Sequence, residues 1–339
     1  MRCDEFYEKW QRCGNFCKKH PVTAGQIDVF LDQLIEVEEV MSAECEDSDA
    51  DTASATDMIS EKACRPLIKE KNPSIRREMI TQIVKKSKDK KASGEKLKVT
   101  EKEVIAIGKS IKRQKLAENV PMPTSDDHKV LIGDFRDLSE DIPDNSIDMI
   151  FTDPPYDEGS IPLYEDLASV AARVLKPGGS LLAYCGQYAL DKILPSMGRH
   201  LRFWWVCCIK HGGGYSSLTG KKTYVCWKPM IWFVKEYNGA EEFVFDLVES
   251  EPPTKMAHDW EQSTKEAEYF IDKLTKPGDT ILDPFCGSGT TCVAAQKLGR
   301  KSIAFEIDET TAKIASKRIC APISSKSAPT PEIAECCDS

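Results

Sequence analysis

Residues 151–160, FTDPPYDEGS, place a carboxylate, two prolines and an aromatic ring directly behind an apolar run. The side chain of Asp153 accepts hydrogen bonds. The two prolines fix φ and lack N–H donors, so the carbonyls of Pro154 and Pro155 are left as acceptors in a rigid frame. Acceptors beside the ring of Tyr156 suit a flat heterocycle with an exocyclic amine, such as adenine or cytosine. Taken alone, the tetrapeptide would favour a stiff turn that ends a strand.

A second candidate site lies in residues 281–299, ILDPFCGSGTTCVAAQKLG, where Gly287-Ser288-Gly289 stands between a predicted strand and a predicted helix. Glycines permit a tight turn and the close approach of a ligand, and the start of the helix offers free N–H groups. The next predicted strand ends in Glu306, and 306 − 283 gives 23 residues from Asp283. Nucleotide-binding folds place the acid that binds ribose hydroxyls at about this distance.

Two other glycine-loop sites do not match this stretch. A P-loop requires a Lys after its last glycine, and Thr290 follows Gly289. A dinucleotide loop prefers a third glycine at position 292, which is Cys. With Asp283 ahead of the turn, the loop is suited to a ligand that has an amine and a ribose, and S-adenosylmethionine fits that description.

The strands and helices that position these residues are predicted from apolar runs of strand length that alternate with helical patterns. Seven runs are mostly continuous, which is typical of strands buried on both faces: 130–132, 147–151, 180–185, 203–209, 230–234, 280–285 and 301–307. Helical patterns lie at 163–175, 264–274, 290–298 and 309–319. This alternation predicts a doubly wound α/β, Rossmann-like sheet of about seven strands.

The region before residue 126 has a different pattern of apolar and polar residues. Apolar residues at helical spacing, such as Val104, Ile107 and Ile111, predict a mainly helical accessory region, and the polar stretches 42–57 and 85–96 are interpreted as linkers. We therefore predict three parts: an accessory region at 1–125, a domain at 126–320 with halves at 128–235 and 256–320, and a disordered tail at 321–339.

Charge is distributed unevenly in this chain of 339 residues with a formal net charge of −9. Residues 35–61 hold ten acids and no Lys or Arg, whereas residues 69–115 hold 16 basic and six acidic residues, so 16 − 6 gives +10. A block of this kind can bind a polyanion although the whole chain is acidic, and a solvated helical face is the alternative interpretation.

The positions of the cysteines and the lengths of the apolar runs indicate the cellular compartment. Several of the 14 cysteines lie inside apolar runs, which favours buried thiols in a reducing environment. Cys13, Cys17 and His20 are possible zinc ligands, but their spacing matches no standard signature, and thiols scattered on a helix are favoured. With neither a membrane-length apolar run nor a signal-like N-terminus, we expect no membrane contact and a cytoplasmic or nucleoid location, or a nuclear one in a eukaryote.

The two candidate sites together resemble one family. TDPPY followed about 130 residues later by LDPFCGSGTT resembles the DNA amino-methyltransferases of the permuted β-type, in which the catalytic motif precedes the cofactor motif. The resemblance covers residues 128–320 and includes GDFRDL, VLKPGGSLLAY, YVCWKPMIWFVK and GRKSIAFEID. It implies a methyltransferase fold that uses S-adenosylmethionine and no metal.

The resemblance also implies residue roles. Asp153 and a carbonyl of Pro154 or Pro155 would accept hydrogen bonds from the target amine, and Tyr156 would stack on a base flipped out of double-stranded DNA. Glu306 would bind the cofactor ribose. The implied cofactor-binding set is Asp134, Phe135, Asp153, Trp260, Gln262, Asp283, Phe285, Cys286, Gly287, Ser288, Gly289, Thr290 and Glu306. Transfer would be direct, so Cys286 is not expected to be a nucleophile.

The substrate is less closely defined. An Asp at the head of the motif resembles adenine-N6 enzymes, whereas Ser is commoner among cytosine-N4 enzymes, so adenine is favoured. Cytosine-N4 methylation of DNA, methylation of an RNA base and a catalytically silent nucleic-acid-binding module are the alternatives. The interval 235–256 is short for a target-recognition region, so recognition is expected from the loop 210–224 and the basic block, with a flexible solvated loop as the alternative for 210–224.

Overall fold

The computed structural model describes residues 66–67, 69–95, 99–118, 127–212, 214–250 and 264–320. Contacts divide the chain into two compact units, Met1–Leu116 and Ala117–Ser339. Several predicted features lie outside the described residues: the possible zinc ligands Cys13, Cys17 and His20, the acidic block at 35–61 with the linker at 42–57, the cofactor contacts Trp260 and Gln262, and the tail at 321–339.

Among the described residues of the first unit, the two long helices are α1 (Pro73–Ala92) and α2 (Glu101–Ala117). α2 begins with a capping box, in which the Thr100 N–H donates to Glu103 Oε2 at 2.7 Å and the Glu103 N–H donates to Thr100 Oγ1 at 3.4 Å. The helices share an apolar core formed by Leu67, Ile75, Met79, Ile80, Ile83, Val84, Val99, Val104, Ile107 and Ile111.

The predicted linker at 85–96 is wrong for most of its length, because α1 continues to Ala92. Its lysines have high helix propensity, and no Gly or Pro interrupts the pattern before Gly94. Tertiary contacts hold the same segment: the side chain of Ser87 is buried, and Lys90 Nζ pairs with Glu103 Oε1 at 2.8 Å. The polar composition therefore marks the exposed face of a helix.

The second unit is organised around an eight-stranded sheet of order β1-β10-β9-β2-β3-β7-β4-β8. All seven predicted strands are present, which confirms the predicted fold class; β8 and a separate hairpin, β5–β6, are additional. The strands are β1 (His128–Ile132), β2 (Ile147–Thr152), β3 (Leu175–Tyr184), β4 (Arg202–Lys210), β5 (Ser216–Leu218), β6 (Thr223–Val225), β7 (Trp227–Val234), β8 (Leu247–Glu249), β9 (Thr280–Asp283) and β10 (Lys301–Glu306).

Strand direction decides which side chains meet at each edge of the sheet. β1, β10, β9, β2 and β3 are mutually parallel, and β7 runs antiparallel to both β3 and β4. The start of β7 therefore lies beside the carboxyl end of β3, with Met230 opposite Tyr184. This edge, called the carboxyl edge below, receives the ends of the parallel strands and the beginning of β7.

Helices cover both faces of the sheet. They are α3 (Phe135–Leu138), α4 (Pro162–Val174), α5 (Leu190–Met197), α6 (Lys265–Leu274), α7 (Thr290–Lys297) and α8 (Glu309–Cys320). In β3, Leu181 packs into the core under α4 and α5, while Leu182 packs into the core under α6 and α7. Burial on both faces explains the continuous apolar runs. Among the described helices, none is long and apolar enough to cross a membrane.

Candidate active site

The two candidate motifs meet at the carboxyl edge. β2 and β9 are parallel neighbours, with Ile150 opposite Leu282, and the residues that follow them are therefore adjacent. From β2 the chain proceeds to β3 on one side of the sheet, and from β9 to β10 on the other. Such a topological switch point opens a crevice outside the strand ends, where open α/β sheets bind ligands. A hydrogen bond joins the motifs directly, from Thr152 Oγ1 to Asp283 Oδ1 at 2.7 Å.

Asp153 has one oxygen engaged by its own turn. The Tyr156 hydroxyl donates to Asp153 Oδ1, whereas among the described residues Oδ2 accepts no hydrogen bond, and neither do the carbonyls of Pro154 and Pro155. Burial raises the pKa of Asp153 above its ordinary value, although the Tyr156 hydrogen bond and the charge of Lys228 act in the opposite direction. The turn thus presents several acceptors without a partner in the described part of the chain.

A group of side chains that no sequence motif indicated packs around this turn. Lys228 Nζ lies 5.7 Å from the ring centroid of Tyr156 and 5.5 Å from that of Tyr184, which places a cation over both rings. The Tyr184 hydroxyl donates to Glu266 Oε2, and the Tyr164 hydroxyl donates to the Tyr184 carbonyl at 2.9 Å. Lys228 could have been predicted only by knowing that β7 is antiparallel, because only then does the start of that strand reach the carboxyl edge.

The glycine loop needs its glycines for different reasons. Gly287 has φ 51° and Gly289 has φ 82°, both in the left-handed region that favours glycine. A Cβ on Gly289 would lie 3.0 Å from the Cβ of Ala315 in α8, whereas a Cβ on Gly287 would meet nothing within 4 Å. Gly289 therefore permits close packing, and Gly287 leaves open space beside the loop.

Glu306 lies against the same loop. The N–H of Gly287 donates to Glu306 Oε2 at 2.9 Å, and the N–H of Asp308 donates to Oε1 at 3.0 Å. These two bonds fix the carboxylate at the end of β10 and leave it capacity for further donors, because each carboxylate oxygen has two lone pairs.

Asp134 is held differently from the other predicted cofactor contacts. Its carboxylate accepts from the guanidinium of Arg136 at 2.9 Å and 2.6 Å, and these bonds lower the pKa of Asp134. The adjacent Phe135 is buried, and its ring centroid lies 4.9 Å from that of Phe285. The ends of β1 and β9 are thus brought together through aromatic packing, while contact of Asp134 with an adenine amine stays a prediction.

The remaining loop residues have structural partners. Arg318 of α8 donates to the Ser288 carbonyl at 2.8 Å and to Ser288 Oγ at 2.9 Å, and its Nη1 lies 3.5 Å from Thr290 Oγ1. Cys286 is buried, and burial raises the pKa of its thiol well above the ordinary value. A neutral thiol is a poor nucleophile, in agreement with a direct transfer that does not use Cys286.

These residues fit S-adenosylmethionine by the chemistry of their groups. The loop combines the buried carboxyl of Asp283, the fixed carboxylate of Glu306 and the open space beside Gly287. Carboxylates accept from ribose hydroxyls and favour a nearby cation, and this cofactor offers both. The roles of the individual residues stay predictions.

Asp283 gives the loop a pH dependence. Burial raises its pKa to about 6, despite hydrogen bonds from Thr291, Thr152 and the Phe285 N–H. The folded state therefore binds the Asp283 proton more tightly than the unfolded state, whose carboxyl has the ordinary pKa of 3.8. We expect wild type to gain about 2 kcal/mol of stability relative to Asp283→Asn as the pH falls from 7 to 4, measured by urea unfolding.

The control for this prediction is Asp191→Asn, because Asp191 is an exposed carboxyl on α5 with no ion pair among the described residues. Its stability should follow wild type across the same pH range. Parallel pH profiles for wild type and Asp283→Asn would contradict the raised pKa.

Comparisons with known proteins bear on the whole arrangement. Residues 244–317, which contain β8, β9, β10 and the glycine loop, match the family model N6_N4_Mtase, described as DNA methylase. The chain is 27% identical over 268 residues to the type II methyltransferase M.BglII of Bacillus subtilis, covering 62% of this chain and 74% of the relative. It is 28% identical over 231 residues to M.BamHI of Bacillus amyloliquefaciens, covering 53% of this chain and about half, 54%, of that relative.

A solved structure shows the same fold. PvuII DNA methyltransferase, described as cytosine-N4-specific, superposes with a TM-score of 0.52 at 21% identity, covering 61% of this chain and 92% of that one. At this identity the likeness concerns the fold alone. Together with the family model over residues 244–317 and the two relatives, the order of the motifs along the sequence leads to one conclusion: the chain is similar to the N6/N4 DNA methylases, and its site fits the cofactor S-adenosylmethionine.

Proposed function

We propose that this protein methylates the N6 amine of adenine in double-stranded DNA, with the target base flipped out of the duplex. One observation carries the proposal: Asp153 Oδ2 and the carbonyls of Pro154 and Pro155 have no hydrogen bond among the described residues. They stand at the switch point beside the glycine loop, to which the Thr152–Asp283 bond ties them. Acceptors so placed suit an amine that must lie next to a methyl donor.

The residues of the chain orient and polarise the amine. S-adenosylmethionine, when bound, supplies an electrophilic methyl group. Asp153 Oδ2 accepts a hydrogen bond from the amine, which increases electron density on its nitrogen, and a proline carbonyl accepts the other N–H. Positive charge develops on this nitrogen during transfer, so a fixed carboxylate stabilises the transition state more than the ground state.

Tyr156 is proposed to stack on the flipped base. Its hydroxyl is fixed by Asp153, and Lys228 lies over its ring. Because the hydroxyl is hydrogen-bonded, the orientation of the Tyr156 ring is fixed and one of its faces can stack on a base. Base–aromatic stacking offsets part of the free-energy cost of unstacking the base from the duplex. The basic block of the first unit is proposed as a second DNA contact, although its Lys86, Lys90, Lys112 and Lys115 pair with carboxylates within that unit.

Cytosine-N4 methylation is the second candidate, because the acceptors described above suit any exocyclic amine of a base. The Asp at the head of the motif resembles adenine-N6 enzymes and favours adenine. The likeness to a cytosine-N4-specific enzyme favours neither base, because at 21% identity it concerns the fold alone.

The test uses cofactor with a tritiated methyl group and two unmodified nucleic acids, a mixed-sequence DNA duplex and an RNA of the same sequence. After digestion, the labelled nucleoside is identified by chromatography. We expect label in N6-methyldeoxyadenosine. Label in N4-methyldeoxycytidine would overturn the choice of base, and label in RNA alone would overturn the choice of substrate. No label from a protein that binds the cofactor would favour the silent module.

A further inference from the structure

A two-stranded hairpin projects from the polypeptide between β4 and β7. β5 and β6 are antiparallel, with Ser217 opposite Tyr224, and they are joined through a turn at Thr219–Lys222. The turn closes with Lys222 in the left-handed region, at φ 51°. The base of the excursion is fixed, since the N–H of His211 donates to the Cys226 carbonyl at 2.9 Å. The interval 210–224 thus contains a two-stranded ribbon.

The hairpin arises at the carboxyl edge. β4 is parallel to β3, because both are antiparallel to β7, so β4 ends and β7 begins at the edge where Asp153 lies. The last residue of β4, Lys210, is opposite the first residue of β7, Trp227. One residue beyond Trp227 is Lys228, whose Nζ lies over the ring of Tyr156. Two residues, Cys226 and Trp227, therefore separate the end of the ribbon from Lys228 at the candidate base site.

The composition of the hairpin suits a polyanion. Residues 210–228 contain four lysines and no Asp or Glu, in a chain whose formal net charge is −9. Lys221 and Lys222 are both exposed at the turn of the ribbon. Because the rest of the chain is acidic on balance, a local excess of positive charge at the catalytic edge favours an anionic partner at this place.

Exposed aromatic rings lie beside these lysines. Tyr215 is 67% exposed and Tyr224 is 68% exposed, and their ring centroids are 4.7 Å apart in an edge-to-face arrangement. Large apolar side chains with this exposure gain from a partner that covers them. Aromatic rings next to lysines are the combination that contacts bases or sugars while the cations contact phosphates.

We propose that the β5–β6 hairpin is a DNA-binding ribbon that holds the duplex next to the flipped base. Lys221 and Lys222 contact phosphates, and Tyr215 and Tyr224 contact the groove; a two-stranded ribbon has the width that the major groove admits. The inference rests on the proposed function for its choice of DNA, and it supplies a recognition element in a chain whose interval 235–256 is short for one.

The test compares DNA binding by three proteins, measured by fluorescence anisotropy with a labelled duplex over a series of salt concentrations. The first variant is Lys221→Gln with Lys222→Asn, since Asn tolerates the left-handed backbone at position 222. The second is Tyr215→Ala with Tyr224→Ala. For the lysine variant we expect about tenfold weaker binding and a salt slope smaller by about two. For the tyrosine variant we expect weaker binding with an unchanged slope.

The matched control is Lys129→Gln with Lys301→Gln, two exposed lysines on β1 and β10 that lie away from the carboxyl edge. It should bind DNA as wild type does, and the melting temperature and cofactor affinity of all variants should match wild type. Unchanged DNA binding by both hairpin variants, an equal loss in the control, or tighter binding of an RNA duplex would overturn the inference. Binding is read without methyl transfer, so a wild-type protein that binds through the hairpin but methylates nothing would overturn the proposed function and support the ribbon.

Discussion

Asp153→Asn is expected to lower the rate constant for methyl transfer by about 10³-fold while leaving cofactor affinity unchanged. The Asn side chain keeps an oxygen for the Tyr156 hydroxyl but turns Oδ2 into an NH₂ group. Two donors, the amide and the target amine, then face each other, and the developing positive charge has no carboxylate beside it. Single-turnover transfer from tritiated cofactor measures the rate, and calorimetry measures cofactor binding.

Asp157→Asn is the matched control, because Asp157 is an exposed carboxylate four positions further on that accepts from Ser160 Oγ at 2.6 Å. It should transfer methyl groups at the wild-type rate. Wild-type transfer should also slow as the pH falls through the raised pKa of Asp153, since the protonated carboxyl would donate where it must accept. A rate for Asp153→Asn within about tenfold of wild type would remove Asp153 from the catalytic role.

Alanine at Gly289 and at Gly287 should affect different properties. At Gly289, the strain of φ 82° adds to contacts of 3.0 Å with the Cβ and 3.2 Å with the Cα of Ala315, so we expect the free energy of unfolding to fall by about 3 kcal/mol. At Gly287, only the strain applies, and we expect a loss of about 1 kcal/mol. In addition, the new methyl group occupies the open space beside the loop, so cofactor affinity should fall at least about tenfold.

Gly278→Ala distinguishes the effect of backbone strain from the effect of filling the candidate cofactor site. Gly278 has φ 92° and open space where a Cβ would stand, and it lies before β9, at the other end of the strand from the glycine loop. It should lose about as much stability as Gly287→Ala with no change in cofactor affinity. Equal cofactor affinity for Gly287→Ala and Gly278→Ala would show that the space beside Gly287 holds no part of the ligand.

Long buried elements were predictable from the sequence, and short exposed ones were not. The seven predicted strands carry continuous apolar runs because the sheet is covered on both faces. β8 has three residues, of which only Val248 is buried, so no periodicity could mark it. α5 contains Pro195, which argues against a helix in a sequence pattern, but it lies late enough in the helix that one turn forms before it. The polar end of α1 resembles a linker in sequence because its partner Glu103 lies on α2.

The candidate site likewise contains residues that the sequence predicts and residues that it does not. Asp283 and Glu306 end strands and Asp153 directly follows one, so their meeting at one edge follows once the strands are parallel neighbours. Lys228 and Glu266 reach the turn from an antiparallel strand and from the first turn of a helix, and no spacing in the sequence relates them to Asp153. Arg136 was also unforeseen as the partner of Asp134, because a pair two residues apart depends on the local turn of α3.

The position of β1 at the end of the sheet has a consequence for synthesis of the protein. β1 pairs with β10, with His128 opposite Ser302. β1, the first strand of the sheet to be synthesised, therefore cannot pair until β10, the last, has been synthesised. β2 and β3, in contrast, are close in sequence and can pair early on the ribosome. The half of the sheet that carries the catalytic turn can therefore form before the half that carries the cofactor loop. Because closing a chain over such a separation is slow, pairing of β1 with β10 is expected to be a late step, and the glycine loop that precedes β10 is completed only with it.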